Sequence, residues 1–228
     1  MKDATPITEQ ESLEIIHSMI QKAKTSYHDR GISSLLWGTV VTIASLISFL
    51  QIQFQFNLPV DIWFLVMFAI IPQIIISRNE DKTIKVKKYE DEAIDTIWMV
   101  YGISIFCLIF YLNVVPAVTD KLLVNEGIEL LERNKEALGA TKPFHYFIPS
   151  GFSLFLILYT LPTLVTGVVK KYKPMIVGAI ICYVMFFVSC FTETKYDMLC
   201  GAIAAISCWL IPGIILQRKY LKSKVSNV

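Results

Sequence analysis

Long apolar runs, separated by short polar segments, dominate the pattern of this chain. A bilayer core about 30 Å thick requires roughly 20 apolar residues in helical form. Six runs of about this length or more lie at about 31–53, 58–77, 96–118, 146–169, 174–192 and 197–217. None contains Asp, Glu, Lys or Arg except near its ends, where Asp61 and Asp197 lie. The pattern therefore predicts an all-α integral membrane bundle of six transmembrane helices, spanning residues 31–218.

The polar lead, residues 1–30, has the pattern of an amphipathic helix. Thr8 and Glu11 form a capping box, which predicts a helix start near Glu9. Apolar side chains then recur at spacings of three and four along one face, as in a short heptad seam: Leu13, Ile16, Ile20, Ala23 and Tyr27. We interpret this seam as packing against the bundle or the lipid surface, or alternatively as a surface for self-association or for a cytoplasmic partner.

Two parts of the chain match when one is moved by 140 residues. The shift places Gly38 on Gly178 and Pro72 on Pro212, so that both pairs of landmarks are 34 residues apart. Each part consists of two apolar runs joined by a polar turn, which in a membrane is a helical hairpin. The spacing predicts a repeated hairpin whose glycines allow close helix packing and whose prolines bend the returning helices.

A third hairpin fits the middle of the chain if it carries an insertion. Gly102 and Pro162 occupy the corresponding places but are 60 residues apart, an excess of 26 that approximates the outer segment 119–145. Apolar positions in that segment follow a helical spacing up to Gly139, which predicts a helix: Val124, Ile128, Leu131 and Leu138. We expect this helix to lie on the outer membrane face, and a lid or a partner-binding element is the alternative. The alternative to the repeat is that Gly and Pro are simply common in membrane helices.

The charges orient the predicted bundle. Sixteen of the 21 Lys and Arg residues lie in the segments that share a side with the N-terminus. The positive-inside rule therefore places both termini in the cytoplasm. On this topology, residues 78–95 are a solvated cytoplasmic loop of alternating charge, and residues 219–228 are a short basic tail.

Composition narrows the class of protein further. The chain is 54% hydrophobic, which is too apolar for an ordinary soluble domain. A net charge of +2, with no basic stripe interleaved with aromatic residues, argues against nucleic acid as a partner. Membrane lipids are the partners that the composition does predict.

The sequence contains no residue pattern typical of a catalytic or metal site. The five cysteines lack the spacing of a zinc site, and the three histidines lie far apart in the sequence. We therefore expect no enzyme activity, no cofactor and no metal. Cys190 and Cys200 are symmetric about the outer turn at residue 195, as are Cys182 and Cys208, and a redox-responsive outer pair is the alternative to plain apolar packing.

The residues at membrane depth are polar but neutral. They include Gln73, Asn113, Thr163 and Thr166, together with three tyrosines. Charged groups there usually indicate ion paths or proton relays, and the sequence indicates none. We expect these neutral groups to form hydrogen bonds between helices, and a ligand pocket is the alternative.

Three short motifs carry a resemblance. Leu35-Leu36-Trp37-Gly38, the stretch at 161–167 (LPTLVTG) and the stretch at 173–178 (KPMIVG) resemble an uncharacterised family of bacterial six-helix inner-membrane proteins. The resemblance implies a multi-pass protein of the bacterial inner membrane, and it implies no activity. The three-hairpin plan is also similar to that of mitochondrial carriers, but their proline-acid-basic signature is missing after each proline.

Two functions follow as hypotheses. The first is a non-enzymatic membrane protein that works through partners, as a sensor, regulator or assembly factor; it rests on the lack of buried charge, on the lead seam and on the small-residue helix faces. The second is a small carrier for an uncharged or lipophilic solute, which rests on the repeat and on the proline-bent helices.

Overall fold

A computed structural model describes residues 31–83, 89–133, 141–144 and 151–226 of the chain. The lead segment 1–30, with its predicted capping box and seam, lies outside the described residues, as do His145 and Gly139.

The described residues form six helices and one small hairpin. The first three helices are α1 (Ile32–Phe54), α2 (Phe64–Thr83) and α3 (Tyr89–Asn125), and the next two are α4 (Gly151–Val169) and α5 (Lys173–Ser189). Helix α6 is continuous and has three segments: Thr194–Ala205, a π-helical turn Ile206–Leu210, and Ile211–Ser226. Strands β1 (Leu131–Arg133) and β2 (Thr141–Pro143) pair antiparallel, with Leu131 opposite Pro143. The prediction of a mostly helical chain is confirmed.

Four of these helices are long and apolar enough to cross a membrane: α1, α3, α4 and, over Thr194–Ser223, α6. Each of the six predicted spans overlaps one helix. Helix α5 has 17 residues, or about 26 Å at 1.5 Å per residue, and α2 ends in a charged stretch from Arg78 to Lys82. The chain thus has helices compatible with a membrane protein.

Helix α6 is the centre of the packing. It contacts α1 along most of its length and also contacts α4 and α5, which pair closely with each other. By contrast, α2 packs along α1 and α3 packs along α4, and within the described ranges the backbones of α2 and α3 do not approach each other. We call the end of the bundle that carries Arg78, Lys170 and Arg218 the basic end, and the opposite end the far end.

Two segments differ from their predicted structure. Most of the predicted loop 78–95 is helical, because α2 continues to Thr83 and α3 already begins at Tyr89. Lys and Glu are good helix formers, and the acidic first turn of α3, with Glu90, Asp91 and Glu92, lies where the helix dipole favours negative charge. Alternating charge was therefore compatible with solvated helix as well as with loop.

The predicted outer helix in 119–145 is wrong for the described residues beyond Asn125. Gly127 adopts a left-handed backbone conformation, with φ 75°. Ile128 N–H donates to Leu123 O (2.9 Å), and Gly127 N–H donates to Val124 O (3.0 Å), the two bonds of a Schellman C-cap. Gly127, rather than Gly139, therefore ends the helix, and the chain enters strand β1, whose residue Leu131 had been assigned to the apolar helical face.

Candidate functional site

A π-helical turn lies at the middle of helix α6, just before Pro212. Ile211 N–H donates to Ile206 O, five residues back, instead of to the carbonyl four residues back. Proline has no N–H and its ring clashes with the preceding turn, so a wider turn before Pro212 relieves a local conflict. The turn presents three buried residues to the bundle, Ser207, Cys208 and Trp209. Single π turns of this kind occur frequently at functional sites.

Two glycines bring neighbouring backbones against this turn. A Cβ added to Gly38 of α1 would lie 2.6 Å from Leu210 N, and one added to Gly178 of α5 would overlap the carbonyl oxygen of Ser207. Neither overlap involves a flexible side-chain end, so only glycine fits at these positions. The backbones of helices α1 and α5 thus pack directly against the π turn. Such close approach of backbones strengthens helix packing in lipid.

Helix α4 holds the same turn through a buried hydrogen bond. Trp209 Nε1 donates to Thr163 Oγ1 at 2.9 Å, and Thr163 is fully buried. The Tyr159 ring lies against the Trp209 indole with a centroid distance of 4.8 Å. We refer to Gly38, Thr163, Gly178, Ser207 and Trp209 as the π-turn cluster.

Helix α3 reaches the π turn of α6 through side chains. Trp98 Nε1 donates to Thr166 Oγ1 at 3.2 Å, one turn along α4 from Thr163. The Trp98 and Tyr101 rings each lie 6.3 Å from the Trp209 ring, at tilted or edge-on angles. Helix α3 thus packs along α4, and its aromatic side chains extend that contact to Trp209 in the π turn.

The predicted packing residues divide into two groups. Gly38 and Gly178 lie in the tight contacts described above, but Gly102 of α3 has open space around it, with nothing within 4 Å of an added Cβ. The expectation that Gly102 matches the other two glycines in packing is wrong, because α3 is displaced to the outside of the bundle. Gly38 also contacts α6 rather than α2, its own hairpin neighbour.

The predicted prolines lie close to the interhelical polar contacts. Pro162 and Pro212 are buried, and Pro72 is half-buried. Pro162 precedes Thr163, and Pro72 precedes Gln73, whose amide bonds to α1. Pro212 O accepts a hydrogen bond from Tyr172 OH (2.9 Å) in the turn between α4 and α5. All three prolines therefore lie in the half of the bundle toward the basic end.

Gln73 joins α2 to α1 at this level. Its Oε1 accepts from Trp37 Nε1 (3.0 Å), and its Nε2 lies 3.1 Å from Ser33 Oγ and from Ser77 Oγ. Gln73, Thr163 and Thr166 thus form the side-chain bonds between helices that the sequence led us to expect. Asn113 does not, because it donates to Ile109 O of its own helix.

Asp197 is a buried charged residue that sequence reasoning placed at a span end and did not weigh further. It lies in the first turn of α6 at the far end and is fully buried. Its Oδ1 accepts a hydrogen bond from Thr192 Oγ1 (2.9 Å), whereas Oδ2 has no partner among the described residues. The sequence signal that could have indicated its burial is its position between a turn and the helix face that carries Gly201, Ala204 and Ala205.

The cysteines are free thiols in the described structure. Cys182 and Cys208 are buried beside the π-turn cluster, and Cys182 Sγ lies 3.3 Å from Leu156 O. Of the predicted outer pair, Cys190 is exposed and Cys200 is buried. Among the described residues no group of His, Cys, Asp and Glu is arranged to hold a metal ion.

Comparison of the chain with protein-family models, with curated proteins and with solved structures gives no match. The function therefore has to be argued from the residues and contacts themselves.

Proposed function

We propose that the chain is a non-enzymatic, six-span protein of a bacterial inner membrane that acts through protein partners, as a sensor, regulator or assembly factor. The observation that carries the proposal is the closed π-turn cluster. Its polar side chains bond to one another, and its glycines bring backbones into contact. The centre of the bundle is thereby occupied by packing rather than by groups left to receive a solute.

The six-span topology is supported by the direction of neighbouring helices. Contacts such as Trp37 with Gln73, Trp98 with Thr166 and Ser153 with Ser189 pair consecutive helices antiparallel. Each helix therefore returns to the side from which the previous one started, and the basic residues collect at one end. The positive-inside rule makes that end cytoplasmic.

Cysteine labelling tests this topology. In a background with Cys107 and Cys190 changed to Ser, a membrane-impermeant maleimide should label Phe56→Cys and Leu130→Cys on intact cells. It should label Ile84→Cys and Lys222→Cys only after permeabilisation. Outside labelling at position 84 would contradict the proposed orientation.

The partner proposal rests on the lead seam. Ile16→Glu with Ile20→Glu places two charges on the seam, and burying an unpaired charge is costly. Ser18→Glu with Gln21→Glu adds the same charge to the opposite helical face and is the matched control. We expect crosslinking from the lead to one recurrent protein to be lost in the seam variant and kept in the control.

The carrier alternative has its own readout. A carrier binds its solute in the folded state and is stabilised by it through mass action. Melting of the purified chain against a panel of uncharged and lipophilic solutes should show no dose-dependent stabilisation. A saturable shift with one solute, together with an unchanged crosslinking pattern in the seam variant, would replace our proposal with the carrier.

A further inference from the structure

Two buried oxygens at the far end lack a hydrogen-bond partner. They are Asp197 Oδ2 in the first turn of α6 and Ser45 Oγ on α1, and both residues are fully buried. Leaving a buried polar group unpaired costs about 1–3 kcal/mol, and more for a charged group. Within the described ranges these are the two side-chain oxygens or nitrogens with this property, and the two helices that carry them pack against each other.

Gly201 connects the two positions. An added Cβ at Gly201 would lie 3.4 Å from Ser45 Oγ and 2.4 Å from the Phe152 ring, which borders the same space. Gly201 is four residues after Asp197 on α6. Side chains four residues apart on a helix lie about 5–6 Å apart on the same face. Ser45 therefore lies about one helical turn along the α1–α6 interface from Asp197.

More hydroxyl groups surround this part of the interface. Thr192 Oγ1 is bonded to the other oxygen of Asp197, and Ser48, one turn along α1 from Ser45, is buried as well. Helices α1 and α6 run antiparallel, so Ser48 lies nearer than Ser45 to the level of Asp197. The local ligand set therefore consists of a carboxylate and hydroxyl oxygens, which hard cations prefer.

The charge balance indicates the kind of cation. Lys195, the basic residue nearest in sequence, pairs with Glu193 at 3.2 Å, so it does not neutralise Asp197. The N-terminus of α6 favours the ionised carboxylate, whereas burial disfavours it, and a bound cation would offset that cost. One negative charge in a buried site is neutralised by one monovalent cation, whereas a divalent ion would leave an excess positive charge.

We propose that Asp197, Ser45 and Ser48 form a binding site for Na⁺ between α1 and the start of α6. The ion would join the first transmembrane helix to the turn that connects α5 with α6. The site lies at the far end of the bundle and contains no residue of the lead seam, so its test does not depend on the proposed partner function.

Melting of the purified full chain in detergent tests the site. Na⁺ is raised from micromolar to several hundred millimolar levels, with choline chloride holding the ionic strength constant. A ligand that binds only the folded state raises the folded-to-unfolded ratio about 100-fold when its concentration is about 100 times its Kd. We expect saturable stabilisation by Na⁺ and retention of about one ²²Na⁺ per chain.

Three variants decide the assignment. Asp197→Asn keeps the side-chain shape, removes the charge and should abolish both the Na⁺-dependent shift and ²²Na⁺ retention. Asp61→Asn removes an exposed carboxylate from the other outer turn and should change neither. Ser45→Ala should weaken Na⁺ binding about tenfold while the chain still folds. This variant therefore keeps the test valid if the Asp197→Asn variant fails to fold.

Several results would overturn the proposal. Equal melting in Na⁺ and choline, or an unchanged Na⁺ shift in both Asp197→Asn and Ser45→Ala, would indicate that the two oxygens hold only water. Saturable stabilisation by Ca²⁺ at lower concentration than Na⁺ would show that the site takes a divalent ion. Loss of Na⁺ binding with intact lead crosslinking would leave the partner function standing.

Discussion

Helices α6 and α3 are both long and apolar, yet α6 is buried in the bundle and α3 lies at its outside. In the most apolar 18-residue stretch of α6, 56% of the residues are buried, and in that of α3 none is. The difference lies in side-chain size along the contact. Helix α6 presents Gly201, Ala204, Ala205 and Gly213 to its neighbours, whereas α3 presents large exposed side chains such as Phe106 and Phe110.

The comparison shows that hydropathy determines whether a helix is suited to a membrane. The small residues along a helix determine whether it can pack at the centre of the helix bundle. Lipid tails are as apolar as Leu or Phe, so burying such side chains against protein brings little advantage in a membrane. Close backbone approach does bring an advantage, through dispersion contacts. Four predictions, from the largest expected effect to the smallest, test this difference between α6 and α3.

The largest effect is expected where a side chain is added against α6. Gly178→Val would drive a Cβ into the Ser207 carbonyl, a backbone atom that cannot move aside cheaply. Overpacking typically costs 1–3 kcal/mol, and we expect the upper end, about 3 kcal/mol. Reversible unfolding of the purified chain in mixed detergent would measure this loss.

Gly102→Val is the matched control on α3. It adds the same side chain to an apolar helix at a position where an added Cβ meets nothing within 4 Å. We expect a change of less than about 0.5 kcal/mol, as for substitutions away from packed features. Equal losses in the two variants would mean that α3 is also packed at Gly102, by a second copy of the chain.

The second prediction compares two threonines one turn apart on α4. Thr163→Val leaves the buried Trp209 N–H without its acceptor and should cost about 2 kcal/mol. Thr166→Val does the same to Trp98, which is half-buried rather than buried, so about 1 kcal/mol is expected. Thr96→Val is the control, because the Thr96 hydroxyl bonds within α3. Unfolding measurements would rank the three variants by their loss of stability. A larger loss in Thr166→Val than in Thr163→Val would place α3 at the centre of the bundle.

These contacts show what the sequence could and could not predict. Apolar length located every helix, and the 34-residue spacing selected Gly38 and Gly178, because close contacts need small residues at defined depths. The same spacing failed at Gly102, since a glycine permits close approach but does not supply a neighbour. The π turn was not predicted, although Pro212 signalled a local conflict whose resolution depends on tertiary packing.

The far end was harder to predict for a physical reason. Helix termination in segment 119–145 depended on which glycine adopts positive φ, and Gly127 and Gly139 were both suitable. The burial of Asp197 depended on how the turn between α5 and α6 sits against α1, a long-range property. Sequence position alone made Asp197 a boundary residue, as it made Asp61, which is exposed.

The third prediction concerns the ion pair that fastens the start of α3. Asp91 is buried and pairs with Lys170 in the turn after α4. Lys170→Met would remove this partner. Because the Lys170 side chain is 27% exposed, water screens part of the interaction, and we expect a loss of about 1 kcal/mol. Hydrogen exchange should increase in the first turns of α3 and stay unchanged in α6.

Lys171→Met provides the comparison for that experiment. It removes one positive charge from the same turn, and Lys171 is exposed. Faster exchange at the start of α3 in this variant as well would indicate an effect of general charge rather than of the Asp91 pair. Faster exchange throughout α6 in Lys170→Met would contradict the view that α3 is attached separately from the core.

The smallest effect is expected from Phe106→Ala on α3. The Phe106 side chain is 70% exposed and faces away from the bundle, so truncating it leaves no cavity inside the protein. We expect a change of less than about 0.5 kcal/mol in detergent. Phe152→Ala on α4 is the matched truncation, and it should cost about 2 kcal/mol because the Phe152 ring contacts Trp63, Phe155 and the backbone at Gly201. The informative case is the native membrane. If Phe106→Ala remains neutral there, lipid covers α3, whereas a loss above about 1 kcal/mol in membranes but not in detergent would mean that a protein partner packs on this face.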